Sequence, residues 1–362
     1  MKKIVVTGGP IPGKLDSVKF ITNRFKGGLS LKTAAYLAAE GFDVTFVCWE
    51  HLDLTIPPEI KCVRVTDVYD YVDRVLDISA DGYILSAAVA NLVPKNPYEK
   101  KFPSHLYSPG DIIDIPFEIA PRLVDKIKEK YPRSTLIAYK LFDGTEEELL
   151  KAAFKTLYDS KANLVFANNP QTCKSTKRAV TADGSVIPCN FEEHLLLIKK
   201  LLRSNYFRTQ QTYPEPIPNS ILSLFNKFEP LLSNGQAYGC LAVRANGGMF
   251  CSSRGKSKLT QKISFVRNVD FKNKVVFSDY KATLNAPLLF KLLQENPDIN
   301  ILLHEHSSEN NYDPLAYTFP GTDLELKGYL TDNSNNCSLK VIQPFHGSIK
   351  GFRSSSELPW KK

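Results

Sequence analysis

Lys3-Ile4-Val5-Val6-Thr7-Gly8-Gly9 decides how the chain begins to fold. A short apolar run cut off by a glycine pair reads as a buried strand delivered into a tight turn. Further on, Leu31, Ala34, Ala35 and Ala38 share one helical face, and the pattern stops at Gly41. Val44-Thr45-Phe46-Val47 is then a second buried strand. Strand, helix and strand in this order make a βαβ unit with a right-handed crossover.

Working outward, the alternation continues. Tyr83-Ile84-Leu85-Ser86 reads as a strand running into Ala87-Ala88-Val89-Ala90. A helix over 119–128 precedes a strand over 135–138, and a helix over 145–160 precedes the strand Leu164-Val165-Phe166, which ends at Asn168-Asn169-Pro170. A helix over 191–202 closes the series. The expected fold is α/β, with a Rossmann-like, doubly wound, mostly parallel sheet. A chain of 362 residues calls for more than one core. Residues 204–218, polar and aromatic with Pro214, Pro216 and Pro218, read as a linker between a domain over 1–203 and a smaller α/β domain over 219–362.

Hydrophobic residues at 43% and charged residues at 23% suit a globular protein, and no window is apolar enough to span a bilayer. The chain opens on a strand without a signal-peptide core, and its seven cysteines are scattered with no Cys-x-x-Cys pair. A cytoplasmic protein with reduced thiols is expected. The net charge of +8 is spread along the chain, which favours small anionic ligands over nucleic acid.

The stretch from Gly8 to Gly28 is far longer than an ordinary strand-to-helix loop. It lies where open α/β sheets bind ligands, at the carboxyl ends of the strands. The sequence Gly8-Gly9-Pro10-Ile11-Pro12-Gly13 lacks the G-x-G-x-x-G dinucleotide fingerprint, which disfavours ordinary NAD binding. On residue type alone, the glycine pair also suits a simple tight turn, Asn23 a turn or cap, and Lys101 beside Lys100 a solvated surface.

Val6-Thr7-Gly8-Gly9-Pro10, followed by Leu15-Asp16-Ser17-Val18-Lys19-Phe20-Ile21-Thr22-Asn23, resembles the signature of the phosphopantothenoylcysteine synthetase family. The likeness continues in collinear order through Ala87-Ala88-Val89-Ala90-Asn91, Lys101-Phe102-Pro103-Ser104, Ile137-Ala138-Tyr139-Lys140-Leu141 and Leu164-Val165-Phe166-Ala167-Asn168, covering roughly residues 1–200. The resemblance implies a ligase that activates the carboxylate of phosphopantothenate with a nucleoside triphosphate and joins it to cysteine. It implies ATP or CTP with Mg²⁺, Tyr139-Lys140-Leu141 being closer to the ATP-using branch. It implies a homodimer, with Asn23 and Lys101 as catalytic residues. Gly8, Gly9, Asp16, Lys19, Ala87, Ala88, Asn91, Tyr139, Lys140 and Asn168 would bind nucleotide and substrate. This chain departs from the family pattern in having Asn91 for an aspartate, Lys19 for an arginine, Phe25-Lys26-Gly27 for a Ser/Thr-Gly loop, and Ser30 for a glycine. A non-catalytic nucleotide- or metal-binding regulatory protein that keeps both folds is the alternative reading.

Of six histidines, His304 and His306 fall in Ile301-Leu302-Leu303-His304-Glu305-His306, where period two puts both on one strand face. With His346 they could supply the three imidazoles of a zinc site. The region resembles class II aldolases and the adducin head domain in this pattern, in Gly239-Cys240-Leu241-Ala242-Val243-Arg244 and in Ser252-Ser253-Arg254-Gly255. The place of that family's catalytic glutamate is held by Asn285, and an amide cannot act as a carboxylate base, so aldol cleavage is not expected.

Overall fold

The computed structural model describes residues 1–172, 175–233, 236–255, 262–306, 312–332 and 338–360. Two compact units divide it, Met1–Lys177 and Arg178–Lys362. The expected boundary at 203 rested on the proline-bearing composition of 204–218; the compact units divide at Lys177, and they are of similar length.

The first unit is built as the alternating pattern requires. Its main elements are β1 (Lys3–Thr7), α1 (Gly28–Ala39), β2 (Asp43–Trp49), β3 (Lys61–Val65), α2 (Val68–Asp77), β4 (Gly82–Leu85), α3 (Leu123–Lys130), β5 (Thr135–Leu141), α4 (Glu146–Ser160) and β6 (Leu164–Asn168). The six strands lie in the order β6-β5-β4-β1-β2-β3, all parallel, with the order reversing beside β1. This is a doubly wound arrangement, and the reversal opens a crevice at the carboxyl ends of β1 and β4. Ile4, Val5 and Val6 are at most 1% exposed, so each contributes roughly 1.5–3 kcal/mol of apolar burial. Helix α4 starts where a capping box predicts, with Thr145 and Glu148 satisfying each other's backbone N–H groups.

Two segments differ from expectation. The helix expected over 119–128 begins only at Leu123, because Pro121 disfavours helical geometry in the residue before it. Ile119 instead belongs to Phe117–Ile119, paired antiparallel with Leu92–Pro94 as a two-stranded arm. The long loop after β1 is not irregular: Pro10–Ile11 pairs parallel with Ala88–Val89, and Gly13–Lys14 pairs antiparallel with Phe20–Ile21.

Strand β7 (Lys177–Thr181) begins on the last residue of the first unit; in the second unit it continues to β8 (Val186–Cys189) and α5 (Phe191–Arg203), capped by an Asn190–Glu193 capping box. Then come β9 (Arg208–Gln211), α6 (Asn219–Lys227), β10 (Cys240–Ala245), β11 (Gly248–Ser252), β12 (Ile263–Asp270), β13 (Val275–Ser278), α7 (Ala286–Glu295), β14 (Ile301–Glu305), β15 (Leu330–Thr331), β16 (Leu339–Gln343) and β17 (Gly347–Phe352). Nine of these strands form one sheet, β9-β13-β12-β11-β10-β14-β17-β16-β15. The stretch read as a linker supplies β9, which pairs parallel with β13. Its four side chains are all exposed, so an edge strand held by backbone bonds left no apolar alternation to read. Helix α7 packs its apolar face on the sheet, and Arg244 bonds the carbonyls of Leu293, Asn296 and Ile299 at its carboxyl end.

Among the described residues, Cys48, Cys62, Cys189, Cys240 and Cys251 form no disulfide; Cys173 and Cys337 lie outside the described residues. No helix among the described residues is long and apolar enough to cross a membrane.

Candidate functional site

The glycine turn is shaped by close approach. A side chain at Gly8 would begin 2.5 Å from the Ser30 Cβ and 2.6 Å from the Phe46 ring, so it would lift α1 from the sheet. Gly9 has φ +79, and Gly27, the N-cap of α1, has φ +76 with its missing Cβ position 2.7 Å from the Gly9 backbone. Only glycine adopts such φ values without cost. Two glycine backbones therefore touch, and the first turn of α1 stands directly over the turn after β1. That helix end carries N–H groups with no intrahelical acceptor and a partial positive charge.

The Gly8 N–H is not available to a ligand, since it donates to the Val47 carbonyl at 3.0 Å. Gly9 acts through its carbonyl, which accepts the Ala88 N–H at 2.9 Å, while Ala90 N–H donates to Ile11 O at 2.8 Å. Half-buried Asn23 donates its amide Nδ2 to the Ala88 carbonyl at 3.1 Å. The loop after β1 is thus zipped to 88–90, beyond the end of β4. Thr7, quoted in the glycine turn but given no role by the sequence, anchors the junction. Its hydroxyl accepts from Ala87 N–H and from the Tyr71 hydroxyl, both at 3.2 Å, and its carbonyl accepts from Ser86 Oγ at 2.6 Å.

Asp16 is fully buried and serves as a bracket. Oδ1 accepts from Val18 N–H at 2.7 Å and Lys19 N–H at 2.6 Å; Oδ2 accepts from Phe102 N–H at 3.0 Å and Lys19 Nζ at 3.1 Å. The Phe102 bond, followed by those of Val18 and Lys19, holds this carboxyl well below the usual carboxylate range against the opposing effect of burial. Lys19 is thereby paired, and its ammonium also lies 6.0 Å from the Phe102 ring centre. Lys101 is exposed on the residue just before the bracketed Phe102.

The remaining members are spread along the strand ends. The Asn91 side chain is exposed, and its carbonyl accepts from Ala120 N–H at 3.0 Å. Tyr139 and Lys140 are half-buried near the end of β5, the Tyr139 ring packing on Phe166 at 5.3 Å. Asn168 is buried at the end of β6, and its Oδ1 accepts from the buried Lys177 ammonium at 3.2 Å. Lys177 had no sequence signal to mark it, because nothing nearby predicted a buried lysine.

The second unit gathers its own cluster. His304 and His346 lie with Nε2 atoms 3.3 Å apart, and the ligand atoms of His304, His306 and His346 all fall within 4.8 Å of one another. The Nδ1 of His304 sits 3.1 Å from the Ser348 carbonyl, a contact that requires Nδ1–H and leaves Nε2 as a lone-pair donor. Gly347, at φ +122, lets the chain pass against the Glu305 carbonyl and brings His346 to β14. Asn285 bonds the buried Glu325 at 2.8 Å; Gln343 Nε2 donates to the same Oε1 at 2.8 Å, and Gly321 N–H to Oε2 at 2.7 Å. Burial raises Glu325 to about 8 despite these three donors.

A family model described as the DNA/pantothenate metabolism flavoprotein C-terminal domain matches residues 1–200. The coenzyme A biosynthesis bifunctional protein CoaBC of Thermococcus kodakarensis is 26% identical over 186 residues, 51% of this chain and 45% of that protein. Its namesake from Mycobacterium tuberculosis is 32% identical over 95 residues, 26% of this chain and 23% of that protein. The chain thus spans less than half the length of these curated relatives. Among solved structures, the DNA/pantothenate metabolism flavoprotein of Streptococcus pneumoniae aligns with a TM-score of 0.49 at 23% identity, over 56% of this chain and 98% of that one.

Proposed function

The chain belongs, through residues 1–200, to the DNA/pantothenate metabolism flavoprotein C-terminal domain family, and from that premise we propose that it is a phosphopantothenate–cysteine ligase of coenzyme A biosynthesis. The observation that carries this reading is the junction where Asn23 and Gly9 both bond Ala88 at the carboxyl ends of the strands, beside the start of α1.

In the proposed reaction, a phosphopantothenate carboxylate oxygen attacks the α-phosphorus of a nucleoside triphosphate, forming the acyl-nucleotide and releasing pyrophosphate. The cysteine amine then attacks the acyl carbon, expelling the nucleoside monophosphate and losing a proton. Two anions must meet, so fixed positive charge and backbone donors lower the barrier. The first turn of α1 offers N–H groups, and Lys101 offers charge on a segment fixed by Asp16. Mg²⁺ would neutralise the phosphates. Asn23 keeps its Oδ1 for the acyl group while Nδ2 holds Ala88. Tyr139, Lys140 and Asn168 would line the nucleotide side, with Asn91 at the rim. ATP and CTP are both accommodated by this reading.

Exposed Leu92, Phe117 and Ile119 on the two-stranded arm support the homodimer as well, since a second copy would cover them. The three histidines of the second unit are read as a divalent-metal site, zinc first by donor type.

The test is pyrophosphate release with phosphopantothenate, cysteine, Mg²⁺ and either ATP or CTP. Release with one nucleotide, lost on Asn23→Ala, supports the ligase. Tight nucleotide binding with no release from either would make the chain a binding protein.

A further inference from the structure

Asp183 was not marked by the sequence, yet it lies beside His346, one member of the histidine cluster. It sits in the turn between β7 and β8, where Gly184 N–H donates to Thr181 O at 3.0 Å, and it is 6% exposed. Oδ1 accepts from the buried Tyr317 hydroxyl at 2.7 Å, and Oδ2 accepts from Ser185 Oγ. Two neutral hydroxyls orient the carboxylate without cancelling its charge, and a buried charge needs compensation. The basic group within ion-pair reach, among the described residues, is His346, with Nε2 3.7 Å from Oδ2.

That same Nε2 faces His304 Nε2 at 3.3 Å. A proton shared between two neutral rings would account for the nitrogen pair but leave Asp183 uncompensated, and a fully protonated His346 would face Asp183 only at 3.7 Å, beyond hydrogen-bond distance, and would give His306 no part in the cluster. A tetrahedral ion bound at about 2.0–2.1 Å to each nitrogen needs them about 3.3–3.4 Å apart, and it supplies the charge. We propose that Asp183 is the fourth ligand of a divalent-metal site formed with His304, His306 and His346. The inference rests on reading the three histidines as metal-binding. Four protein donors close the site, which makes it structural: the ion ties the 182–185 turn to β14 and β17. A closed site also has no need of a carboxylate at Asn285.

The test uses the full chain loaded with Zn²⁺ or Co²⁺ and dialysed. The wild type is expected to retain one zinc per chain and His304→Ala to lose it, while Asp183→Asn weakens binding about 10- to 100-fold in competition with a chromogenic chelator. Asp183→Cys keeps an anionic donor and should bind Co²⁺ with a thiolate-to-metal charge-transfer band that the wild type lacks. A chelator should lower the melting temperature of the wild type and leave that of His304→Ala unchanged. Retained zinc with undiminished affinity in Asp183→Asn, or Co²⁺ bound by Asp183→Cys without the band, overturns the role of Asp183 and leaves the three-histidine reading standing. Absence of zinc from the wild type overturns both.

Discussion

Asn23 and Ala88 are joined by one hydrogen bond, Nδ2 to carbonyl oxygen at 3.1 Å, across 65 residues of chain. With the Gly9–Ala88 backbone bond, it fixes the loop after β1 to the segment after β4. Asn23→Ala removes the donor and costs about 1 kcal/mol. Asn23→Asp costs more, because a carboxylate oxygen then faces a carbonyl oxygen. Thermal melting should rank wild type above Asn23→Ala above Asn23→Asp, and a reversed order of the two variants would refute the staple. Pyrophosphate release should fall roughly 100-fold in both, since a loop misplaced by about 1 Å loses that much.

Gly27 and Gly28 are neighbours with opposite tolerance. At Gly27 a methyl group would meet the Gly9 backbone at 2.7 Å in a left-handed conformation; at Gly28 it would meet nothing within 4 Å. Gly27→Ala should destabilise the first unit by about 2–3 kcal/mol and weaken nucleotide binding. Gly28→Ala should be neutral or stabilise by about 0.5 kcal/mol through helix propensity. Urea midpoints of the two variants measure the contrast; equal midpoints would show that the backbone contact is immaterial.

These two positions also show what the sequence could and could not disclose. The βαβ order was legible because Ile4-Val5-Val6 of β1 is an uninterrupted buried run and β2 buries Val44, Phe46, Val47 and Cys48 with only Thr45 between them. The glycine pair was legible as a turn, but its partner Gly27 was not, because close approach between distant backbones leaves no local pattern. Asp16 and Asn23 stood out by resemblance to ligand-binding residues, whereas their observed bonds hold the chain to itself. The roles of Thr7, Lys177, Asp183 and Glu325 were not legible for a common reason. Each is an ordinary polar residue locally and becomes special only when folding buries it beside a remote partner. The edge strand β9 was hidden for the converse reason, since pairing through the backbone alone asks nothing of its side chains.

Asp16 makes the first unit acid-sensitive. Its pKa is lowered in the folded chain, chiefly by the Phe102 N–H, so its contribution is present above the unfolded carboxylate value of about 4 and lost as pH falls through the folded value. Asp16→Asn sets an amide NH₂ against at least one of the N–H groups of Val18, Lys19 and Phe102, and it removes the Lys19 ion pair. The variant should melt lower than the wild type at pH 7, and the gap should narrow below about pH 4 as the wild-type carboxyl takes up its proton. A gap independent of pH would mean that the charge of Asp16 plays no part. Weaker nucleotide binding in the variant would follow from loosening the Lys101 segment.

Glu325 predicts the opposite slope in the second unit. Burial raises this carboxyl from its ordinary value of 4.5 to about 8, outweighing the donors from Gly321, Gln343 and Asn285. Between those two values the folded state holds a proton that the unfolded state has released. Stability is then greatest below the unfolded value and is lost as pH rises towards 8. Hydrogen exchange of amides in α7 and β16, which carry Glu325's partners at one end each, should show opening that becomes easier from pH 5 to pH 8 after correction for intrinsic rates. Glu325→Gln has no proton to release and should abolish the slope. It keeps one amide oxygen as an acceptor, and rotation of the Asn285 or Gln343 amide can pair its NH₂ group. Parallel pH profiles in variant and wild type would place the origin of the slope elsewhere.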